Sequence, residues 1–438
     1  MSGSIGERPR LHWTKRSPAG AWTAVPPPRL LPVERHAAAR PPLLGPADTG
    51  AGGRLILGDN LAVGRALLPE LRGAVDLIYM DPPFGTGGRF LVRRQPGTEG
   101  ARAYSDAWEG GLRGYLDMLL PRLELAHTLL SPEGSLYVHL DPTAAHYVKV
   151  LLDEIFGPEC FQREIVWRIG WVSGYKGTVR NWVRNHDTIL FYTRDATRFT
   201  FNKTYVPHLP GYQRRGGGQG QGHPIDDVWN GSPAEHALTG AEALDSIQIK
   251  SFSAEKTGYE TQKNESLLRR VVESSSDPGQ LVVDLFAGSG TTLAVAEKLG
   301  RRWLGCDVNP TAVHVARGRL LALPERRGFE VLAVQDEVPA PLPAGDVWDL
   351  TTAGAEVRLT LRHPDQADYW AIQWEAGVGD DGPLRPDFTS FRQYNTKREN
   401  TLQPRVTHRY ARPGARTLAA HVAGPDGRLR CIRQEVVI

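Results

Sequence analysis

The chain carries only three cysteines among its 438 residues, Cys160, Cys306 and Cys431. Their spacing suits neither a metal cluster nor a disulfide framework, so a reducing cytoplasm is the expected setting. No apolar run approaches the ~18 residues of a membrane span, and the N-terminus lacks the basic-then-apolar order of a secretory signal, so no membrane partner is expected. The Gly-x4-Gly-Lys-Ser/Thr phosphate loop is missing, which argues against an ATP-driven nuclease motor. Lysine is sparse beside arginine. A formal net charge of +3, spread over this length, is too small to imply a nucleic-acid partner by itself.

What is present is ordinary for a globular chain: 40% hydrophobic and 23% charged residues, with room for two or three domains. Residues 1 to 50 hold nine prolines among alanine and arginine and show no period, so a disordered Pro/Arg-rich arm is expected. From 51 to 325 strands and helices alternate. Strand-like runs fall at 54–58, 76–80, 135–141, 162–168, 188–193, 281–286 and 302–308. Helical spacing falls at 61–71, 115–130, 146–156, 265–273, 292–299 and 311–323. Pro121 is expected to kink the second helix, and Ser131-Pro132-Glu133-Gly134 to stop it. This alternation predicts an α/β fold with a doubly wound, parallel sheet. The period fails between about Phe199 and Thr261. From 340 to 438 short alternating runs, separated by turns such as Gly424-Pro425-Asp426-Gly427, predict a separate all-β sandwich.

Asp76 to Thr86 reads DLIYMDPPFGT. A buried strand ends in a carboxylate, two prolines and an aromatic. The prolines stiffen the turn and set the direction of its carbonyls. Asp81 adds an acceptor and Phe84 a flat apolar face. Acceptors beside an aromatic plate suit a planar ring that bears an exocyclic amino group. A second motif, DLFAGSGTT from Asp284 to Thr292, follows a strand and opens a helix. Its glycines let backbone approach a ligand, and the helix start offers free N–H groups. Asp307 ends the next strand, where a carboxylate can accept from ribose hydroxyls.

Asp81-Pro82-Pro83-Phe84 resembles the catalytic tetrapeptide of amino-methylating DNA methyltransferases. Phe-x-Gly-x-Gly at Asp284, Phe286, Ala287, Gly288, Ser289, Gly290 and Thr291 resembles their S-adenosylmethionine loop rather than a dinucleotide loop. Thr261 and Lys263 match the segment that touches the methionine end of the cofactor, although Asn264 stands where proline is common; as a bland alternative, Asn264 can cap the following helix. Asp59 matches the family's Gly-Asp strand end. The order, with the tetrapeptide first and the cofactor loop last, resembles the permuted beta group, which includes adenine-N6 enzymes and type III restriction modification subunits. The resemblance covers roughly residues 54 to 323. It implies a Rossmann-like methyltransferase sheet, S-adenosylmethionine as cofactor, double-stranded DNA as substrate, target recognition at about 195–260, pairing of protomers and a restriction subunit as a partner.

Basic residues are concentrated between Phe161 and Gly222: ten of them face three acidic ones, with tryptophans and tyrosines interleaved. Cations for phosphates with aromatics for stacking make a nucleic-acid face. Arg180, Arg184, His186, Arg214 and Arg215 are the candidate DNA contacts. The resemblance implies adenine N6 as the acceptor because the tetrapeptide starts with Asp. Cytosine N4, an RNA or protein amide, and a non-catalytic DNA-binding relative are the alternatives. Methylation at cytosine C5 is disfavoured, because no cysteine follows a proline. No metal is expected.

Overall fold

The computed structural model describes residues 10–13, 16–39, 52–84, 89–92, 101–105, 109–168, 180–206, 208, 222–230, 235, 255–377, 382–392 and 402–438. The apolar runs become the strands of a ten-stranded sheet. In chain order these are β1 (Leu30–His36), β2 (Gly53–Leu57), β3 (Val75–Met80), β4 (Leu130–Leu140), β5 (Phe161–Arg168), β6 (His186–Thr193), β7 (Val228–Trp229), β8 (Leu281–Asp284), β9 (Arg302–Asp307) and β10 (Phe329–Val334). Their order in space is β1-β10-β2-β9-β8-β3-β4-β6-β5-β7. From β10 to β4 every neighbouring pair is parallel. The expected parallel sheet is thus the centre of a mixed one. β1 runs antiparallel at one flank, and β6 runs antiparallel to both β4 and β5 at the other. An antiparallel neighbour needs no crossover helix.

Among the described residues six helices cover the two faces: α1 (Asn60–Leu71), α2 (Leu112–Leu129), α3 (Pro142–Phe156), α4 (Glu265–Ser275), α5 (Thr291–Lys298) and α6 (Pro310–Leu321). Side chains alternate along each strand. Ile56, Ile78 and Val283 therefore pack with α1 to α3, while Leu55, Leu77 and Val282 pack with α4 to α6. Each such side chain, fully buried, contributes roughly 1.5–3 kcal/mol. This explains why the central strands read as unbroken apolar runs rather than alternating ones. α2 passes through Pro121 without ending there. Ser131 to Gly134, expected as a stop, is carried inside β4, where the register against β3 shifts between Val75 and Leu77.

The N-terminal segment departs from the expected disordered arm. β1 pairs with β10 from Leu30↔Val334 to His36↔Phe329, Trp22 is buried, and Arg16 meets Glu154 at 2.6 Å. Pro32 is tolerated because β1 is an edge strand, and the register shifts between Pro32 and Glu34. In the irregular middle stretch, Val228–Trp229 adds to the sheet edge and Tyr205–Val206 pairs with His223–Pro224.

The C-terminal segment is a β sandwich. Trp348–Ala353, Glu356–Leu361 and Arg405–Arg409 form one sheet; Ala340–Pro341, Tyr369–Ala376, Phe388–Phe391, Ala415–Ala423 and Leu429–Val437 form the other. Trp348 and Leu359 of the first share a core with Trp370, Ile372 and Leu418 of the second. A buried polar cluster joins this sandwich to the ten-stranded sheet. Glu34 of β1 accepts from Tyr369 Oη at 3.0 Å and pairs with His421 Nδ1 at 2.9 Å, His36 Nε2 at 3.1 Å and Arg317 of α6 at 3.3 Å. The Arg317 guanidinium lies 3.8 Å from the centre of the Tyr369 ring. Burial alone would raise the Glu34 carboxyl, yet Arg317, His36 and His421 hold it well below the usual carboxylate range.

Candidate active site

Five carboxylates stand at five adjacent strand ends. Asp59 follows β2, Asp307 ends β9, Asp284 ends β8, Asp81 follows β3 and Asp141 follows β4. The register explains their proximity: Tyr79 lies opposite Asp284, Asp284 opposite Gly305, and Asp307 opposite Leu57. The carboxyl ends of open α/β strands are where such folds place ligands. Here they open into one cleft of about 1020 Å³. Asp81, Pro82, Pro83 and Phe84 line it together with Asp59, Thr261, Lys263, Asp284, Phe286, Ala287, Gly288, Ser289, Thr291 and Asp307. The two sequence motifs, some two hundred residues apart, thus share one cavity because β3 and β8 are neighbours.

The glycine loop is built for close approach. Gly290 has φ of +72°, and a side chain there would come within 2.8 Å of Ala316 Cβ on α6. The Gly288 N–H donates to Asp307 at 2.9 Å, which ties the loop to the end of β9. Burial raises the Asp307 carboxyl, against hydrogen bonds from the Asn309 and Gly288 N–H groups. Burial likewise pushes Asp284 up to about 7, although Thr292 Oγ1 donates at 2.6 Å and Phe286 N at 2.9 Å. Asp59 caps α1 through the Leu61 and Ala62 N–H groups and pairs with Arg122. Thr291 turns inward, donating to the Lys263 carbonyl at 3.1 Å and accepting from Arg319 at 2.8 Å. Asn264 holds the N-cap position of α4 but makes no capping bond with its side chain, contrary to the capping role its sequence suggests.

At the tetrapeptide, Lys263 Nζ donates to Asp81 Oδ2 at 2.5 Å and sits 5.2 Å from the centre of the Phe84 ring. Asp81 Oδ1 is buried with no partner among the described residues. A desolvated carboxylate oxygen left unsatisfied is costly, and a ligand donor arriving there would relieve the cost. Beneath lies a chain that sequence spacing did not reveal. Tyr79 Oη is 2.8 Å from His139 Nδ1, and His139 Nε2 is 3.1 Å from Asp187 Oδ2. Burial would raise Asp187, but the bond and charge of His139 bring it below its ordinary value, so it is an acceptor. His139 Nε2 therefore donates to Asp187, while Nδ1 pairs with Tyr79 Oη. Phe84 leans on His139 at 5.8 Å between ring centres.

The candidate DNA contacts fall differently. Arg180 is exposed. Arg184 is committed to Asp141 at 2.8 Å and to Asp187, bracing the pocket floor rather than standing free. His186 opens β6 and its carbonyl accepts from Arg184 Nε at 3.2 Å. Trp182 between them is 96% exposed. Arg214 and Arg215 lie outside the described residues. Besides the Tyr79–His139–Asp187 chain, sequence reasoning missed Asn60, Arg122 and Tyr259 of the cleft wall. Asn60 had a visible signal, directly following Asp59 at a strand end; its amide donates to the Leu285 carbonyl at 2.7 Å.

Among curated proteins the chain is 30% identical over 304 residues to the type II methyltransferase M.EcaI of Enterobacter cloacae, spanning 57% of this chain and 65% of that protein. It is 29% identical over 269 residues to the DNA adenine methyltransferase YhdJ of Escherichia coli K12, spanning 61% and 82%. It is 27% identical over 266 residues to the type II methyltransferase M.HpaI of Haemophilus parainfluenzae, spanning 61% and 74%. A solved structure of M1.HpyAVI in complex with SAM aligns at TM-score 0.41 and 18% identity, covering 62% of this chain and all of that one. A family model described as DNA methylase matches residues 75–318, from the start of β3 into α6 and across both motifs, and the chain belongs to that family.

Proposed function

We propose that this protein methylates adenine N6 of a base rotated out of double-stranded DNA. The observation that carries the proposal is the shared cleft, in which Asp81 with its unpartnered oxygen stands one strand away from the Gly288–Gly290 loop. S-Adenosylmethionine is the cofactor, and when bound it supplies an electrophilic sulfonium methyl group. Asp284, Phe286, Gly288 and Asp307 would hold it, with Asp307 as acceptor for ribose hydroxyls.

A base inside a duplex is out of reach of this cleft, so it must leave the stack. Phe84, supported by His139 and by the Lys263 ammonium, offers the face on which it stacks. Asp81 Oδ1 and the Pro82 carbonyl accept the two amino hydrogens. The amino lone pair is normally delocalised into the ring. Acceptors that draw the hydrogens out of the ring plane localise it on nitrogen, and a carboxylate held in place by Lys263 does so without reorganising. Asp81 Oδ1 would then take the proton the nitrogen gives up. Arg180 and Trp182, both exposed and close in sequence to Arg184, suit phosphate contact and stacking. The relative YhdJ, a DNA adenine methyltransferase, supports adenine as the target.

The test is Asp81→Ala. Methyl transfer to DNA should be abolished, while S-adenosylmethionine binding measured by calorimetry stays within a few-fold of wild type. Full activity in that variant refutes the assignment. Mass spectrometry of digested product DNA reads the base directly, and N4-methylcytosine in place of N6-methyladenine would overturn the choice of nitrogen.

A further inference from the structure

The cleft is not lined by the catalytic domain alone. Asp426 and Arg428 of the C-terminal sandwich also face it. They belong to the turn between Ala415–Ala423 and Leu429–Val437. This turn sits on the start of α6, the residues that follow Asp307 directly. Thr311 Oγ1 donates to the Asp426 carbonyl at 3.0 Å. Gly427 is buried with φ of +70°, and a side chain there would lie 2.4 Å from the Pro310 carbonyl oxygen and 2.7 Å from Thr311 Cα. Backbone therefore meets backbone at the lip of the site, and only glycine allows it.

The turn is also anchored from behind. The strand that leads into it carries His421, which pairs with Glu34, and Glu34 in turn holds Arg317 on the same α6 that Thr311 opens. Swinging the turn away would break a buried ionic cluster, so it is a fixed wall. Its exposed side chains, in contrast, are free to meet a ligand: Asp426 and Arg428 are both solvent-facing, linked by the Arg428 N–H to Asp426 Oδ1 at 3.2 Å.

The sheet order gives the direction. β9 with Asp307 is separated from β3 with Asp81 by β8. The turn beside Asp307 and α6 is at the end of the cleft away from the tetrapeptide. We propose that the Asp426–Arg428 turn completes the adenosine end of the cofactor site, Arg428 offering a planar cation to the purine face and Asp426 an acceptor to adenosine N–H or O–H groups. This rests on the reading of Asp307 as the ribose acceptor. It gives the sandwich a role inside the site, as a permanent part of the cofactor pocket.

Calorimetry with two probes tests this: S-adenosylmethionine, and 5′-methylthioadenosine, which keeps the adenosine and lacks the amino-acid end. The full-length double variant Asp426→Ala/Arg428→Ala should bind both about tenfold more weakly, the scale of one guanidinium–ring contact plus one hydrogen bond. Its ligand-free melting temperature should match wild type, because both side chains are exposed. Arg428→Lys keeps the charge and loses the plane, and should recover little of the loss. Affinities within twofold of wild type for both probes overturn the proposal, as does a loss confined to S-adenosylmethionine or full rescue by lysine. If wild type binds neither probe, the reading of the cofactor site itself fails, a result distinct from either of these.

Discussion

At the scale of single residues, the site is a set of carboxylates whose surroundings differ. Asp81 is oriented by Lys263, while Asp284 is buried and pushed up to about 7. At neutral pH a substantial share of Asp284 is therefore protonated before any ligand arrives. A cation brought beside it favours the ionised form, so binding a cationic cofactor lowers its pKa and releases protons. The sign follows: affinity for S-adenosylmethionine should rise as pH increases toward about 7 and level off above it. Calorimetry from pH 5.5 to 8.5 in buffers of different ionisation enthalpy measures both the affinity and the released protons. Asp284→Asn should remove the slope and the release, and a flat wild-type profile contradicts the account. Asp81 and Asp284 were legible in the sequence because each ends an apolar run within a short motif. The Lys263–Asp81 pair was not, since 182 residues separate the partners and no local spacing marks a contact of that range. His139 was equally hidden. Inside a strand it looks like any buried polar residue, and only its bonds to Tyr79 and Asp187 give it a place under Phe84.

At the scale of elements, periodicity identified most strands and helices of the ten-stranded sheet to within a few residues but missed β7 and β10 and misread the N-terminal strand. β1 contains Pro32 and follows a proline-rich run, and its hydrogen-bonding partner lies about three hundred residues later. Composition argued for disorder, and the edge position that makes proline acceptable cannot be seen in one sequence. The strand's importance comes from Glu34. Replacing it with alanine leaves Arg317 buried without its carboxylate and takes acceptors from Tyr369 and His421. Removing one member of a buried ionic group costs about 3–5 kcal/mol. Glu34→Ala should lose stability of that order in chemical denaturation, and a loss below about 1 kcal/mol would show that the cluster is not what holds these elements together.

At the scale of the whole molecule, the sequence suggested a catalytic domain followed by a separate sandwich, and the sandwich was legible from its short alternating runs and turns. Its attachment was not, because Glu34, Arg317, Tyr369 and His421 come from four distant parts of the chain. With that cluster buried between them, the two units should unfold together. Near-ultraviolet circular dichroism and tryptophan fluorescence, which report on Trp167 and Trp303 in one unit and Trp370 and Trp374 in the other, should give a single coincident thermal transition. Two resolved transitions would contradict this. The same four-part cluster has a bearing on biosynthesis. Glu34 is synthesised 387 residues ahead of its last partner, His421. The nascent polypeptide therefore carries an unmatched carboxylate until that last strand has been made. Truncated products, whether from a stalled ribosome or a premature stop codon, should be recognisable to proteolytic quality control by that unfinished seam.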